Sequence, residues 1–542
     1  MIHETRAITK HDPRAITKAV ATPREKLASA LQALKALQDG GLRIIRSRDV
    51  PRAHRERLLA AGFLRPIVKG WYLPARSEEA PGDSTAWYAS LREFVRAYCD
   101  SRFGTDWYVS PELSVQLHAG NTVAPAQVVV HARGGTNTTL ALPQRTSLFD
   151  YAAKDFAPER ARVEAGPLRA LALPWALVRV SEQFFRAHPR DAQLALAQLP
   201  DASALLEGLL EGGHSVVAGR IAGALRAAGR ADLADTVRTT IRAAGYACVE
   251  TDPFERPLPA LIRSRPESPH ATRLRLAWQD MRETAFAAFD PEPGVPADTG
   301  AYLADLEERY VTDAYHSLSI EGYRATAALI ERVRSGDWNP GAHKDDADAR
   351  DAMAAHGYWL AHNAVRRSIE RIFAGENAGR VLRQDHGGWY RELFAPSVAA
   401  GIVDAAQLAG YRNDQVYVRN SRHVPPSKDA VRDCMPALFE CLESEPSAAA
   451  RAVLGHFVFV FIHPYMDGNG RMARFLMNAM LASGGYPWTI LRLEMRTDYF
   501  DALEQASVHG DIAAFARVLA LAVREQGSAG RSRPRRSTKA AP

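Results

Sequence analysis

Apolar residues recurring at three- and four-residue spacing mark the first element of the chain. Leu27, Ala30, Leu31, Leu34 and Leu37 form one stripe between Arg24 and Gln38, closed by Gly40 and Gly41. A second helix is expected over Arg52 to Ala61, with Ser47 and Asp49 as caps and Pro51 in its first turn. Phe63 to Leu73 reads as two short strands turning near Lys69-Gly70. Counted as three helices, one of them basic, and a hairpin, this unit predicts a winged helix-turn-helix over residues 1–82. Residues 83–250 predict a mixed α/β region. It opens with a helix at Ala86 to Tyr98, continues through the alternating strand Ala126 to His131, and ends mainly in helices. A proline-rich stretch at 251–270 predicts a linker. Long apolar-periodic segments with short breaks then predict an all-helical domain over 271–525, and the tail 526–542 lacks apolar anchors and is expected to be disordered. The fold class is mainly α. The pentapeptide RAITK occurs twice in the first twenty residues, which is too little to indicate a repeat architecture.

Charge changes this picture at the two ends. Residues 1–77 hold 16 basic and 6 acidic residues, and residues 526–542 hold 5 basic residues and no acids, within a whole-chain net charge of only +6. A basic terminal module on an acidic body directs any binding of duplex DNA to residues 1–82. Four cysteines without a paired spacing point to a reducing compartment. No apolar run is long enough for a signal peptide or a bilayer span, so the expected location is cytoplasmic, with no membrane partner. Cys434 and Cys441 share a helix face and are read as packing residues. His316 is read as a helix-surface histidine.

The candidate chemistry lies in twelve consecutive residues, His463-Pro-Tyr-Met-Asp-Gly-Asn-Gly-Arg-Met-Ala-Arg474. An apolar helix over Leu454 to Ile462 should stop at His463, because Pro464 disfavours helical geometry there. Gly468, Asn469 and Gly470 permit tight turns, and a new helix should start near Arg471. Backbone amides at such a helix start gather at a positive dipole end and suit phosphate. Arg471 and Arg474, three apart, add two permanent cations. Asp467 offers the hard oxygen that Mg²⁺ prefers, and His463 titrates near neutrality and can accept a proton from a hydroxyl.

This sequence resembles the motif of the Fic family, HPFx(D/E)GN(G/K)RxxR, with Tyr465 in place of the usual phenylalanine. The resemblance implies a helical Fic domain with a β-hairpin flap, using ATP and Mg²⁺. His463 would be the general base and Asp467 the metal ligand. Gly468, Asn469 and Gly470 would hold the phosphates, and Arg474 the γ-phosphate. About 140 residues upstream, Ser317 to Gly322 resembles the family's inhibitory pattern (S/T)xxxE(G/N). Ser317 and Glu321 lie four apart on one helix face, so the Glu321 carboxylate can be aimed at Arg474, with Gly322 completing the pattern. Gly410 to Arg412 with Gln415 to Pro426 resembles the flap, where Val416 and Val418 would align a target segment. Arg496 to Tyr499 resembles the stretch lining the adenine pocket. Residues 25–250, through the segments Gly62 to Pro74 and Ser110 to Val130, resemble antitoxins of the AbiEi kind.

The implied function is an autoinhibited protein adenylyltransferase. It would transfer AMP from Mg-ATP to Tyr, Ser or Thr hydroxyls of a target protein and of itself. Two other readings stand beside it: a DNA-binding autoregulator or antitoxin-like protein whose Fic domain senses nucleotide, and transfer of another phosphate-linked group. A homo-oligomer is compatible with each of them.

Overall fold

The computed structural model describes residues 22–75, 84–212, 214–259, 268–338 and 349–531. The RAITK duplication, the first 21 residues of the basic module and the end of the tail fall outside them.

At the N-terminus, Thr22 caps the helix Pro23–Asp39 by accepting from Glu25 N, and the Glu25 side chain accepts from Thr22 N. The second helix, Arg52–Ala60, begins after Pro51 with no side-chain cap. Asp49 instead accepts from Arg46 N at 2.7 Å, so the expected capping by Ser47 or Asp49 does not occur. Strands β1 (Ile45–Arg46), β2 (Leu64–Val68) and β3 (Trp71–Pro74) form a sheet in the order β1-β3-β2, turned at Gly70 with φ +86°. Two helices, rather than the three counted from the sequence, accompany this sheet among the described residues. Ala30, Leu34, Ile45, Val50, Leu58 and Leu64 make its small core.

Next, the helix Thr85–Phe103 lies on a four-stranded sheet of β4 (Trp107–Val109), β5 (Gln127–Ala132), β6 (Thr138–Ala141) and β7 (Ser147–Ala152), in the order β4-β5-β7-β6. β5 and β7 run parallel. A hairpin of β8 (Arg162–Ala165) and β9 (Leu168–Leu171) leads into helices between Leu173 and Ala243, with their own apolar core. The proline-rich stretch that follows is packed where it is described. Phe254 meets Phe185 edge-on at 5.7 Å, and Gln193 donates to Pro259 O at 2.7 Å.

From Pro269 onward the described chain is helical and shares one continuous apolar core that runs from Leu274 to Val523. The last helix reaches Arg531, past the expected start of the disordered tail at 526, because its apolar stripe carries the preceding turns into the core. Two helices position the site. Ala448–Ile462 is buried along nearly its whole length, and Asn469–Ser483 packs beside it. A third helix, Thr299–Ile320, lays the face carrying Asp313 and Ser317 into the core. Among the described residues no disulfide forms, and Cys434 is fully buried as a packing residue.

Candidate active site

His463 ends the Ala448–Ile462 helix in the left-handed conformation, φ +53° and ψ +60°. Pro464 enforces that stop, since its ring excludes helical geometry in the residue before it. The positive φ turns the imidazole out of the helix line. His463 Nδ1 lies 3.1 Å from Val460 O, which assigns the proton to Nδ1 in the neutral ring and leaves Nε2 free to accept one. Burial lowers the His463 pKa below the usual imidazole value. The bond to Val460 opposes that shift, and the Arg412 charge adds to it.

The Arg412 guanidinium secures this turn. Its Nε donates to His463 O at 2.8 Å and Nη1 to Asp414 O at 2.9 Å, while Nη2 reaches Pro426 O and Ile462 O. Arg412 N also donates to Pro464 O at 2.9 Å. Arg412 is 2% exposed, and burial lowers its pKa to about 10. Behind the turn, Tyr465 stacks on Tyr390 with ring centres 3.7 Å apart, so the Tyr in place of Phe serves as a packed ring.

Asn469 closes the next loop on itself, accepting from Tyr465 N at 2.9 Å and donating to Tyr465 O at 2.8 Å. Gly468, at φ +79°, then opens the helix Asn469–Ser483 with no side-chain cap of its own, which leaves the first amides to be met by another acceptor. Arg471 is 1% exposed and sits between Tyr323 and Phe394, about 5 Å from each ring. Among the described residues its Nε and Nη2 have no hydrogen-bond partner, and neither does Arg474 Nη1. Buried cationic donors left without acceptors beside open helix amides form an anion cradle.

Asp467 is exposed. Oδ1 accepts from Gly468 N at 2.6 Å, and Oδ2 lies 3.5 Å from Arg471. Among the described residues no group of three or more His, Cys, Asp or Glu could hold a metal by itself. A single carboxylate facing a phosphate cradle nevertheless fits Mg²⁺, which is commonly held by one or two carboxylates together with substrate phosphates and water.

Ser317 and Glu321 close on Arg474 from the Thr299–Ile320 helix. Arg474 Nε donates to Ser317 Oγ at 2.8 Å, and Nη2 donates to Ser317 O at 3.0 Å and Glu321 Oε1 at 2.7 Å. A Cβ placed on Gly470 would lie 2.1 Å from Glu321 Oε1, so the carboxylate rests directly over the glycine turn. Gly322, at φ +88°, ends the helix just after it. Burial works against the Arg474 charge, but Glu321 together with Tyr499 and Tyr358 more than offsets this and raises its pKa.

Two sequence expectations, the hairpin and the surface position of His316, need correction. Among the described residues Val416 and Val418 form no hairpin: the segment 410–426 runs through bends and a turn at 419–420 without a ladder of its own, and the bridge within it joins His423 to Val123. Val416 is buried, and the Gln415 side chain already occupies its carbonyl, donating at 3.1 Å. Tyr499 is placed in the interior beside the arginine of the site. It is 2% exposed, with its hydroxyl 3.1 Å from His456 Nε2, and packs near Arg474. His316 is half-buried rather than superficial, and accepts from Leu493 N at 3.1 Å. Sequence reasoning also passed over Asp313, four residues before Ser317 on the same face. Its buried carboxyl accepts from Tyr358 at 2.7 Å, and burial raises its pKa to about 6. That spacing was the available signal.

Residues 385–481 match the Fic/DOC family. The chain is 31% identical over 231 residues to a protein adenylyltransferase Fic of Nematostella vectensis, covering 42% of this chain and 50% of that protein. It is 39% identical over 255 residues to one of Drosophila willistoni, covering 45% of each. The chain thus spans about half the length of the curated relatives it matches. Among solved structures, Fic-1 (aa134–508) of C. elegans aligns with 63% of this chain and 92% of its own, at 19% identity and a TM-score of 0.35.

Proposed function

We propose that this chain, which carries a Fic domain in its C-terminal region, is a protein adenylyltransferase that Glu321 holds inactive. The observation that carries the reading is the triple contact of Arg474 with Ser317 and Glu321, at the mouth of a phosphate cradle next to His463. In the reaction, His463 Nε2 takes the proton of a Tyr, Ser or Thr hydroxyl as its oxygen attacks the α-phosphorus of ATP. The bond to the bridging oxygen breaks, pyrophosphate leaves, and AMP remains on the side chain. The Asn469 to Arg471 amides and the Arg471 and Arg474 guanidiniums bind and orient the phosphates. Mg²⁺ held by Asp467 would supply charge neutralisation on those phosphates when bound.

Glu321 opposes this in two ways. It pairs with the cation meant for the γ-phosphate, and its carboxylate places negative charge over Gly470 where phosphate would lie. The test is the Glu321→Gly variant with ATP and Mg²⁺, followed by intact mass. We expect AMP to be added to the chain itself, and none to be added when His463→Ala is combined with it. A mass unchanged in Glu321→Gly, with the protein folded, would reject the inhibited-transferase reading in favour of a nucleotide sensor.

The basic surface of residues 22–75, with Arg48 and Arg52 largely exposed, supports a second proposal, binding of duplex DNA through the N-terminal module. Arg52 is engaged with Glu56 at 2.7 Å, and Arg48 lies 4.0 Å from Asp49. Such exposed pairs are weak enough for phosphate to displace them.

A further inference from the structure

The segment 410–426 meets the N-terminal half of the chain at its far end, backbone to backbone. Ala124 N donates to Arg422 O at 2.8 Å, and Arg422 Nε donates back to Ala124 O at 2.9 Å. Val123 and His423 form the antiparallel bridge at this point. A second fastening lies beside it: Ser84 N donates to Asn420 Oδ1 at 3.1 Å, and Asn420 N donates to Thr85 Oγ1 at 3.3 Å. Tyr417 lines a cavity together with Tyr88, Arg92 and Leu113 of the N-terminal half.

The same few residues touch the catalytic elements. The His423 ring stacks on Phe461 at 3.9 Å and its Nε2 lies 2.8 Å from Phe461 O, two residues before His463. Arg422 N donates to Glu504 at 2.9 Å. His423 is 2% exposed and Ser421 8%. Residues 122–124 therefore lie against this edge as an incoming extended segment would, attached by the main-chain bond at Ala124 and the Arg422 side chain.

We propose that the N-terminal half is the standing partner of the flap. Residues 84–85 and 122–124 hold 420–424 in place, and another protein's acceptor segment gains that edge only when the contact opens. This restraint is separate from Glu321: Glu321 acts on the nucleotide side, and the clasp acts on the acceptor side. Its consequence for transfer rests on the adenylyltransferase reading, but the contact itself does not.

The experiment uses the full chain carrying Glu321→Gly, compared with the same chain carrying Ala124→Pro or Asn420→Gly in addition. Proline at 124 removes the amide that bonds Arg422 O. Glycine at 420 keeps the positive φ of +57° and removes the acceptor for Ser84. Two readouts are taken: amide hydrogen exchange over 416–424, and AMP transfer to a mixture of unstructured Ser-, Thr- and Tyr-containing peptides set against AMP release to water. Loss of either bond should speed exchange by about tenfold. Transfer to peptides should rise severalfold, with release to water unchanged. Unchanged exchange in both variants overturns the clasp, and so does faster exchange without a gain in peptide transfer. Should one variant lose its helical circular dichroism, the other carries the same reading. If the Glu321→Gly parent consumes no ATP with either acceptor, the transferase reading fails, and exchange alone decides whether residues 84–85 and 122–124 hold the flap.

Discussion

At His463 the left-handed backbone and the Val460 carbonyl together set which ring nitrogen is free. His463→Ala should therefore reduce AMP transfer by about 10² to 10⁴ while leaving nucleotide affinity near that of the parent, since the cradle is untouched. The lowered pKa has a definite sign. A base that stays neutral to a lower pH keeps working there, so the acid limb of kcat/KM in the Glu321→Gly background should lie below the ordinary imidazole value of about 6.5. A limb at or above that value would show that His463 is not the titrating base. Arg412 acts through the same turn as a positioning residue. Arg412→Gln strips the guanidinium from four carbonyls and should cost about 2 to 4 kcal/mol in urea unfolding. Arg412→Lys, which retains the charge but not the fork, should recover stability better than kcat. Equal recovery of both would assign Arg412 to the fold alone.

The junction between the helices Ala448–Ile462 and Asn469–Ser483 joins the proposed base to the proposed cradle through six residues, and its tight turn depends on Gly468. A side chain there would face both a φ of +79° and the Phe394 ring 2.7 Å from its Cβ. Gly468→Ala should lower stability by about 2 kcal/mol, read as a fall in the urea midpoint at unchanged slope. A neutral result would show that the loop can take another path. The Thr299–Ile320 helix is the opposing element, and its face carries Asp313, Ser317 and Glu321 at four-residue intervals. This periodicity brings all three near one arginine from another part of the chain, Arg474, the contact on which the proposed inhibition rests.

For the whole molecule, buried histidines set the acid limit. His362, His423 and His456 are at most 2% exposed, and burial lowers their pKa values to about 3, 4 and 3. Each stays neutral in the fold while the unfolded chain takes up a proton near pH 6.5. Their stabilisation is complete above that pH and declines as the pH falls towards 4, by ~1.4 kcal/mol per pH unit for each histidine. Asp313, raised to about 6, runs the other way: its contribution is present below the ordinary carboxylate value and lost as the pH rises through 6. Three groups outweigh one, so the thermal midpoint should drop between pH 6.5 and pH 4.5. A flat profile there would mean that these rings are protonated or hydrated in the fold. The DNA proposal belongs to this scale as well. The full chain should shift a duplex at low salt with an affinity that falls steeply as salt rises, and Arg48→Glu with Arg52→Glu should weaken that shift. Failure to bind any duplex at low salt would remove the proposal.

What the sequence determined by itself is what sits close together along the chain. The helix stop at Pro464, the glycine turn, and the ordering of base, carboxylate and arginines within twelve residues follow from local sterics and from chemistry that needs no distant partner. The helical stripes from Pro269 onward and the alternation at β5 were legible for the same reason. The reach of Glu321 to Arg474, 153 residues away, was expected only through resemblance, since helix periodicity gives a side chain's direction but not what it meets. Tertiary structure alone placed Tyr499 behind Arg474 and gave the Arg412 guanidinium its carbonyls from two segments. It also denied the flap its hairpin. Val416 and Val418 alternate as strand residues do, yet the edge at 420–424 is taken by residues some 300 positions earlier in the chain. Alternation records which side chains are buried, whereas the pairing of a strand depends on which backbone the fold brings beside it.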